Sequence, residues 1–234
     1  MWRRLDSLMT RFLTAFLFCA ALSAAPPTMR SSRAPQDAPL IVDPKTPFWK
    51  DAPVVIADHD IRGKHVPRYS TEIRSRWTPA NLYLLFTCPY EKLNLKPDPS
   101  TTTETFLLWN WDVAEAFVGW DFNEITRYKE FEVSPQGEWV DLDIDRKTPL
   151  PEGGWKWNSG FEVKVQIDEP SKIWYGAMRI PFSSIDTRPA KVGNQLRINL
   201  FRSQGPDHQQ VTWQPPMAET FHKPERFGIL ELVE

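Results

Sequence analysis

The stretch TEIRSRWTPANLYLLFTC, Thr71–Cys88, decides the fold class, because two runs with a period of two residues flank a short polar segment. In the first run, charged residues alternate with Ile73 and Trp77. The segment TPAN that follows contains Pro and Asn, which favour turns. Alternation of this kind places successive side chains on opposite faces of a strand. The stretch therefore predicts two β-strands joined by a turn.

The same period recurs from Val54 onward, and no stretch of a dozen residues keeps a helical period. About eleven segments have it, in chain order APVVIA, STEIRSRW, NLYLLFTC, AEAFVGW, RYKEFEV, EWVDLDID, FEVKVQI, IWYGAMRI, LRINLFR, QQVTW and FGILELV. Many short strands without alternating helices are typical of all-β domains. We therefore expect an antiparallel, jelly-roll-like β-sandwich of about eleven strands with few or no helices.

The first 25 residues, MWRRLDSLMTRFLTAFLFCAALSAA, have arginines ahead of an apolar run that ends in small residues. This order is typical of a secretory signal peptide, and the apolar run is too short to span a membrane. We expect cleavage near Ala24 or Ala25 and export to the periplasm, the cell surface or the medium. Phe18 is a poor residue before a lipidated cysteine, so Cys19 does not favour a lipoprotein.

The next segment, residues 26–39, reads PPTMRSSRAPQDAP and has no apolar period. Its Pro, Ser and Ala content predicts a flexible leader. The remainder, residues 40–234, has the length of one all-β domain.

The charge of the chain limits its possible binding partners, and its cysteine content limits how the fold can be stabilised. Without residues 1–25 the chain has 25 basic and 29 acidic residues and no basic run. Nucleic acid and anionic membranes are therefore poor candidate partners. Cys88 is then the sole cysteine, so no internal disulfide can form and the core alone must stabilise the fold.

The stretch LLWNWDVAEAFVGW, Leu107–Trp120, combines tryptophans with carboxylates. If Val113–Trp120 is a strand, the small apolar residues Ala114 and Ala116 share one face and suit a packed core. Glu115 then belongs to the outer or concave face. A carboxylate among aromatic side chains needs a partner, which could be an arginine, a metal ion or the hydroxyls of a ligand.

Seven segments in a fixed order carry a resemblance along most of the chain: FWKDAPVV, TEIRSRWTPANLYLLFTC, LLWNWDVAEAFV, YKEFEVSPQGEWVD, WYGAMRIPFSSI, LRINLFR and TWQPPMAETFHKPERFGILEL. Each segment is weakly specific alone, but their succession is specific. From about Leu40 to Val233 the chain resembles the family 9 carbohydrate-binding modules and their bacterial relatives.

The resemblance implies a β-sandwich that binds a sugar between two aromatic side chains, with bound calcium commonly supporting the structure. By position, Trp109 corresponds to one wall, Phe221 to the opposite wall and Glu115 to an acceptor for sugar hydroxyls. Trp111 and Asp112 are further candidate contacts. The implied function is exported, non-catalytic binding of an oligosaccharide or polysaccharide in carbohydrate breakdown.

The chain departs from the family at two of these positions. Phe221 stands where sugar-binding members have tryptophan, and Glu132 stands where an arginine supports the sugar hydroxyls. An interaction or scaffold module at the cell surface, with a degenerate sugar slot, is therefore the alternative. Simpler roles also remain for the other candidates: Trp109 and Trp111 could fill the core, and Asp112 could cap backbone N–H groups.

Catalysis is a weaker hypothesis. Glycoside hydrolysis needs two carboxyl groups on either side of a bond, which Glu115 with Asp112 or Glu132 could supply. The sequence lacks a nucleophile elbow, a zinc-protease motif, a phosphate loop and a dinucleotide fingerprint, so we expect no nucleotide cofactor. Met178 has no evident histidine partner, so we expect no haem either.

Two further segments could suggest metal binding. Asp141–Asp145, DLDID, has Glu152 at the twelfth position of an EF-hand count, but Arg146 stands where that loop needs Gly. A strand with one wet face explains the segment better. The histidines, His59, His65, His208 and His222, lack metal-ligand spacing, so we expect them in exposed loops, with His222 at the rim of the slot.

Overall fold

The computed structural model describes residues 25–152 and 154–234, so most of the expected signal peptide lies outside the described residues. The fold is almost entirely β, with one single-turn helix, α1, at Phe182–Ile185. In the described part of the chain no helix has the length and apolar character needed to cross a membrane.

Twelve strands make up the sheet: β1 Thr28–Arg33, β2 Val54–Ala57, β3 Thr71–Trp77, β4 Asn81–Pro89, β5 Val113–Gly119, β6 Arg127–Val133, β7 Trp139–Asp145, β8 Glu162–Asp168, β9 Ile173–Pro181, β10 Gln195–Gln204, β11 Gln209–Thr212 and β12 Gly228–Val233. Short 3₁₀ turns lie at Pro67–Tyr69, Leu108–Asn110 and Pro224–Arg226. Each of the eleven segments predicted from the alternation corresponds to one of the strands β2 to β12.

The strands form one mixed, barrel-like sheet in the order β7-β6-β5-β10-β12-β1-β3-β4-β9-β8, with β11 paired to β10 and β2 to β3. Two halves of this sheet are antiparallel: one contains β7, β6, β5, β10 and β12, and the other contains β3, β4, β9 and β8. Between them, β1 is parallel to both β12 and β3. The prediction of a wholly antiparallel sandwich is therefore wrong, because one strand joins the two halves into a single sheet.

The prediction of a flexible leader at residues 26–39 is also wrong. β1 lies within it, with Met29 fully buried in the main core and the Ser75 hydroxyl donating to the Ser31 hydroxyl at 2.7 Å. Further along, Asp37 accepts hydrogen bonds from the side chains of Thr78, Asn81 and Tyr83. The folded domain thus begins ahead of residue 40.

The main core lies between the two halves of the sheet. It contains Ala114, Ala116 and Val118, as the alternation in β5 predicts. Val113 and Phe117 point the other way and join a second apolar cluster on the outer face of β5, β6, β7 and β10. This outer face carries the candidate site.

Candidate functional site

A cleft of about 640 Å³ opens on the outer face of the neighbouring strands β7, β6, β5 and β10. Its floor comes from alternate residues of four neighbouring strands: Glu115 and Phe117 of β5, Glu130 of β6, Leu142 and Ile144 of β7, and Ser203 of β10. Its walls come from the loop ahead of β5, the loop after β7 and the segment ahead of β12. The sheet therefore fixes the floor, while loops set the shape of the opening.

Trp109 forms part of one wall. It sits in the 3₁₀ turn Leu108–Asn110 directly ahead of β5, half-buried, and its ring meets the ring of Phe106 edge-on at 5.3 Å. Leu107, just before the turn, has a φ of 65°, a left-handed conformation that costs free energy for a residue with a side chain. The chain thus adopts an unfavourable local backbone where it presents Trp109 to the cleft.

Phe221 forms part of the wall on the other side and is 8% exposed. Its ring stacks on Phe201 of β10, with centroids 4.2 Å apart and 13° between the planes. The ring is therefore held rigidly against the sheet and offers the cleft only a limited surface.

The structure brings three of the six candidates, Trp109, Glu115 and Phe221, to one cleft. Trp111 and Asp112 do not line it. Asp112 is buried, and its Oδ1 accepts the backbone N–H of Gly205 at 2.5 Å, which matches the backbone-capping role considered above. Burial is the main reason that the pKa of Asp112 rises to about 6.

Glu132 lies on the same face of the sheet as Glu115 and Glu130 but does not line the cleft. It is opposite Glu115 in the β5–β6 pairing and has no exposed surface. Together with Glu130 the two form a triad in which one oxygen from each side chain lies within 4.8 Å of the others. Over the described ranges, no other set of three histidine, cysteine or acidic side chains converges in this way.

Burial raises the pKa of all three triad carboxyls. The neighbouring carboxyl groups raise those of Glu115 and Glu132 further, while the Ser203 hydroxyl partly offsets the effect at Glu115. The pKa of Glu130 rises to about 7. Because three like charges in one buried group repel each other, the triad favours the uptake of a proton or a cation.

His222 lines the cleft, as its expected place at the rim implies, but it is half-buried rather than exposed. Its ring stacks on Phe117, with centroids 5.2 Å apart, and its Nδ1 lies 2.7 Å from the Tyr128 hydroxyl. Burial, and then the charge of Arg146, lower the pKa of His222 to about 4. The imidazole is therefore neutral at pH 7, and in its Nε2-protonated tautomer Nδ1 accepts the hydrogen bond from the Tyr128 hydroxyl.

Several lining residues were missed by reasoning from the sequence, among them Phe106, Arg146, Trp155 and Gln210. Of these four, only Arg146 belongs to a motif considered in the sequence, where it excludes an EF-hand loop. The indole Nε1 of Trp155 is buried without a hydrogen-bond partner among the described residues, which marks a donor near the cleft. An aromatic residue beside two glycines is a signal that could have suggested a loop at a site.

The other segments considered for metal binding have structural roles. Asp141 lies in β7, as predicted, but it is buried rather than wet, and its Oδ2 accepts the Ser159 N–H at 2.7 Å. His59 and His65 both pair with Asp58, at 2.7 Å and 3.0 Å, on the surface. Neither segment belongs to a converging group of three ligands within the part of the chain that the structure describes.

The fold has clear counterparts among solved structures. A family 9 carbohydrate-binding module from Caldicellulosiruptor kristjanssonii in complex with cellotriose is 12% identical, with a TM-score of 0.65 over 88% of this chain and 94% of that one. A structure of a module of the same description with glucose gives 11% identity and a TM-score of 0.61, covering 88% and 95%. A proposed carbohydrate-binding protein from Bacteroides uniformis gives 14% and 0.70, covering 89% and 100%.

None of the curated proteins matches this chain. The family model described as "Carbohydrate family 9 binding domain-like" matches residues 44–234, most of the sequence. That range contains all eleven strands from β2 to β12. The chain belongs to the carbohydrate family 9 binding domain-like family.

Proposed function

We propose that this protein binds a saccharide in the cleft between Trp109 and Phe221 and does not alter it chemically. The observation that carries the proposal is that two aromatic walls and the carboxylate of Glu115 meet in one open cleft. Membership of the family supports it. So do the fold relatives, whose structures contain cellotriose or glucose.

The chemistry of the cleft suits a sugar ring. Pyranose rings present C–H groups on their faces, which pack on aromatic rings, while their hydroxyls need polar partners at the edges. Carboxylates accept hydrogen bonds more strongly than neutral oxygens. The volume of about 640 Å³ lies within the range of about 300–1,000 Å³ that is usual for small-ligand sites.

Binding is better supported than hydrolysis. A glycosidase places its two carboxyl groups on either side of the scissile bond, separated by about 5 Å or more. Here Glu115 and Glu132 lie on adjacent strands of one floor, with oxygens within 4.8 Å, and Glu132 is fully buried. Asp112, the other partner considered, is hydrogen-bonded to Gly205 outside the cleft lining.

The N-terminal sequence supports a place of action outside the cytoplasm. We assign residues 1–25 to a signal peptide and therefore place saccharide binding outside the cytoplasm. A role in binding polysaccharide or its fragments during their breakdown is consistent with export.

The test is a tryptophan fluorescence titration of residues 25–234 against cello-, xylo-, manno- and galacto-oligosaccharides. We expect a saturable change for one class of sugar, lost in Trp109→Ala and retained in Trp111→Ala. The two tryptophans are two residues apart and both half-buried, but only Trp109 lines the cleft. A flat response across the panel from the folded protein would favour the interaction or scaffold module instead.

A further inference from the structure

The carboxyl triad, Glu115, Glu130 and Glu132, places three acidic side chains next to one another on two paired strands, which by itself destabilises the sheet. Glu115 and Glu132 are direct cross-strand partners, and Glu130 lies two residues from Glu132 on the same face of β6. Like charges directly opposite each other on neighbouring strands are destabilising. A third carboxyl group in the same place increases the repulsion.

The triad has no partner of opposite charge. Among the described residues, no Lys, Arg or His forms an ion pair with any of the three, which are 2%, 3% and 0% exposed. Four of their oxygens lack a hydrogen-bond partner: Glu115 Oε1, Glu130 Oε2 and both oxygens of Glu132. Buried carboxylates are normally paired, hydrogen-bonded or bound to a metal. Glu130 and Glu132 can share one proton, but no other donor in the described part of the chain reaches Glu132, so the triad suits a bound cation.

The distances fit one ion. Ca²⁺ binds oxygen ligands at about 2.3–2.6 Å, so two of its ligands can be separated by up to about 5 Å. One oxygen from each triad member falls within 4.8 Å of the others, which allows a single ion to contact all three. The all-oxygen ligand set disfavours Zn²⁺, and the burial of the three side chains disfavours Mg²⁺, which retains several waters.

Two members of the triad face the cleft. Glu115 and Glu130 line it, while Glu132 lies beside them on the same face of the sheet and has no exposed surface. Ca²⁺ takes six to eight oxygens, so one oxygen from each of the three carboxyl groups leaves further coordination positions to be filled. Water or the hydroxyls of a ligand in the cleft could fill them.

We propose that Glu115, Glu130 and Glu132 bind one Ca²⁺ ion at the floor of the cleft, and that sugar hydroxyls complete its coordination. The second half of the proposal rests on the proposed function. The first half requires only the triad.

The test is calorimetric titration of CaCl₂ into residues 25–234 after dialysis against EDTA, repeated with MgCl₂. Tb³⁺ luminescence excited through the tryptophans is a second readout, because Trp109 and Trp155 line the cleft. We expect one Ca²⁺ per chain and at least tenfold weaker binding in Glu132→Gln. Glu104→Gln is the matched control: Glu104 is a carboxyl with a raised pKa beside Asp141, outside the triad.

The outcomes test the Ca²⁺ site and the coordination of sugar by Ca²⁺ separately. The absence of Ca²⁺ binding to the folded protein, or equal binding by Glu132→Gln, would overturn the cation site and leave the triad as a group that shares protons. Sugar binding that is unchanged in EDTA, with Ca²⁺ binding intact, would overturn the coordination of sugar alone. If Ca²⁺ binds but no sugar does, the proposed function fails while the cation site stands.

Discussion

The ring of Phe221 lies parallel to that of Phe201, with centroids 4.2 Å apart, so a wall of the cleft is stacked on a strand of the sheet. Phe221 is 8% exposed, whereas Trp109 on the other side is half-buried. The two walls should therefore differ in how much they contribute to stability, although we propose that both contribute to binding.

We expect Phe221→Ala to lower the free energy of unfolding by about 3–4 kcal/mol, the usual cost of removing a buried phenyl ring. Trp109→Ala should cost clearly less, because its ring packs at the rim. Both variants should lose sugar binding. Urea unfolding and the fluorescence titration measure the two effects, and an equally large loss of stability in Trp109→Ala would assign Trp109 to the core.

Glu115→Gln should weaken sugar binding by a few kcal/mol at most, because a neutral acceptor remains at the floor of the cleft. Calorimetry of the variant with the sugar identified in the panel measures this change. Equal affinity of variant and unaltered protein would remove Glu115 from the set of sugar contacts.

The effect of Glu132→Gln on stability should reverse with calcium. In EDTA the variant should be more stable by about 1–2 kcal/mol, because an amide is neutral without taking up a proton and can donate to a neighbouring carboxylate. With saturating Ca²⁺ the unaltered protein should gain stability that the variant does not, since a ligand that binds only the folded state stabilises it. Thermal unfolding in both buffers gives the comparison, and a variant less stable in both would contradict it.

Local alternation was sufficient to predict strands β2 to β12, because each buries at least one face against apolar neighbours. β1 was missed because TMRSSR has a single large apolar residue and pairs only with strands distant in sequence. Parallel pairing of that kind leaves no short-range signal, unlike the turn that joins β3 to β4.

The candidate site was predictable only in part, for a similar reason. The period of two residues placed Glu115 on the outer face, and the resemblance identified Trp109 and Phe221. The convergence of Glu115, Glu130 and Glu132 depends on the β5–β6 register, and Arg146 and Trp155 reach the cleft through the loop after β7. Neither the register nor the course of that loop can be read from the local sequence.

The contribution of β1 can be measured directly. Met29→Ala should lower the free energy of unfolding by about 3 kcal/mol, because the side chain is fully buried in the main core. The neighbouring Arg30 is exposed on the same strand, so Arg30→Ala should change stability by no more than about 0.5 kcal/mol. If the two variants were equally stable, β1 would not belong to the cooperative unit that urea unfolds.

His222 should make stability depend on pH. Its pKa is about 4 in the folded protein and about 6.5 when unfolded, so between these values the unfolded chain binds more protons. Stability from the neutral imidazole is therefore complete above about pH 6.5 and is lost as the pH falls toward 4. The expected loss at pH 4 is about 2–3 kcal/mol.

His222→Asn isolates this effect, because its amide oxygen replaces Nδ1 as an acceptor for the Tyr128 hydroxyl and does not titrate. Asp112, whose raised pKa of about 6 gives the opposite slope, is present in both proteins and cancels in the difference. The free energy of unfolding of the unaltered protein minus that of His222→Asn should thus decrease from pH 7 to pH 4. A difference that is constant over this range would mean that His222 is as accessible to protons in the folded protein as in the unfolded chain.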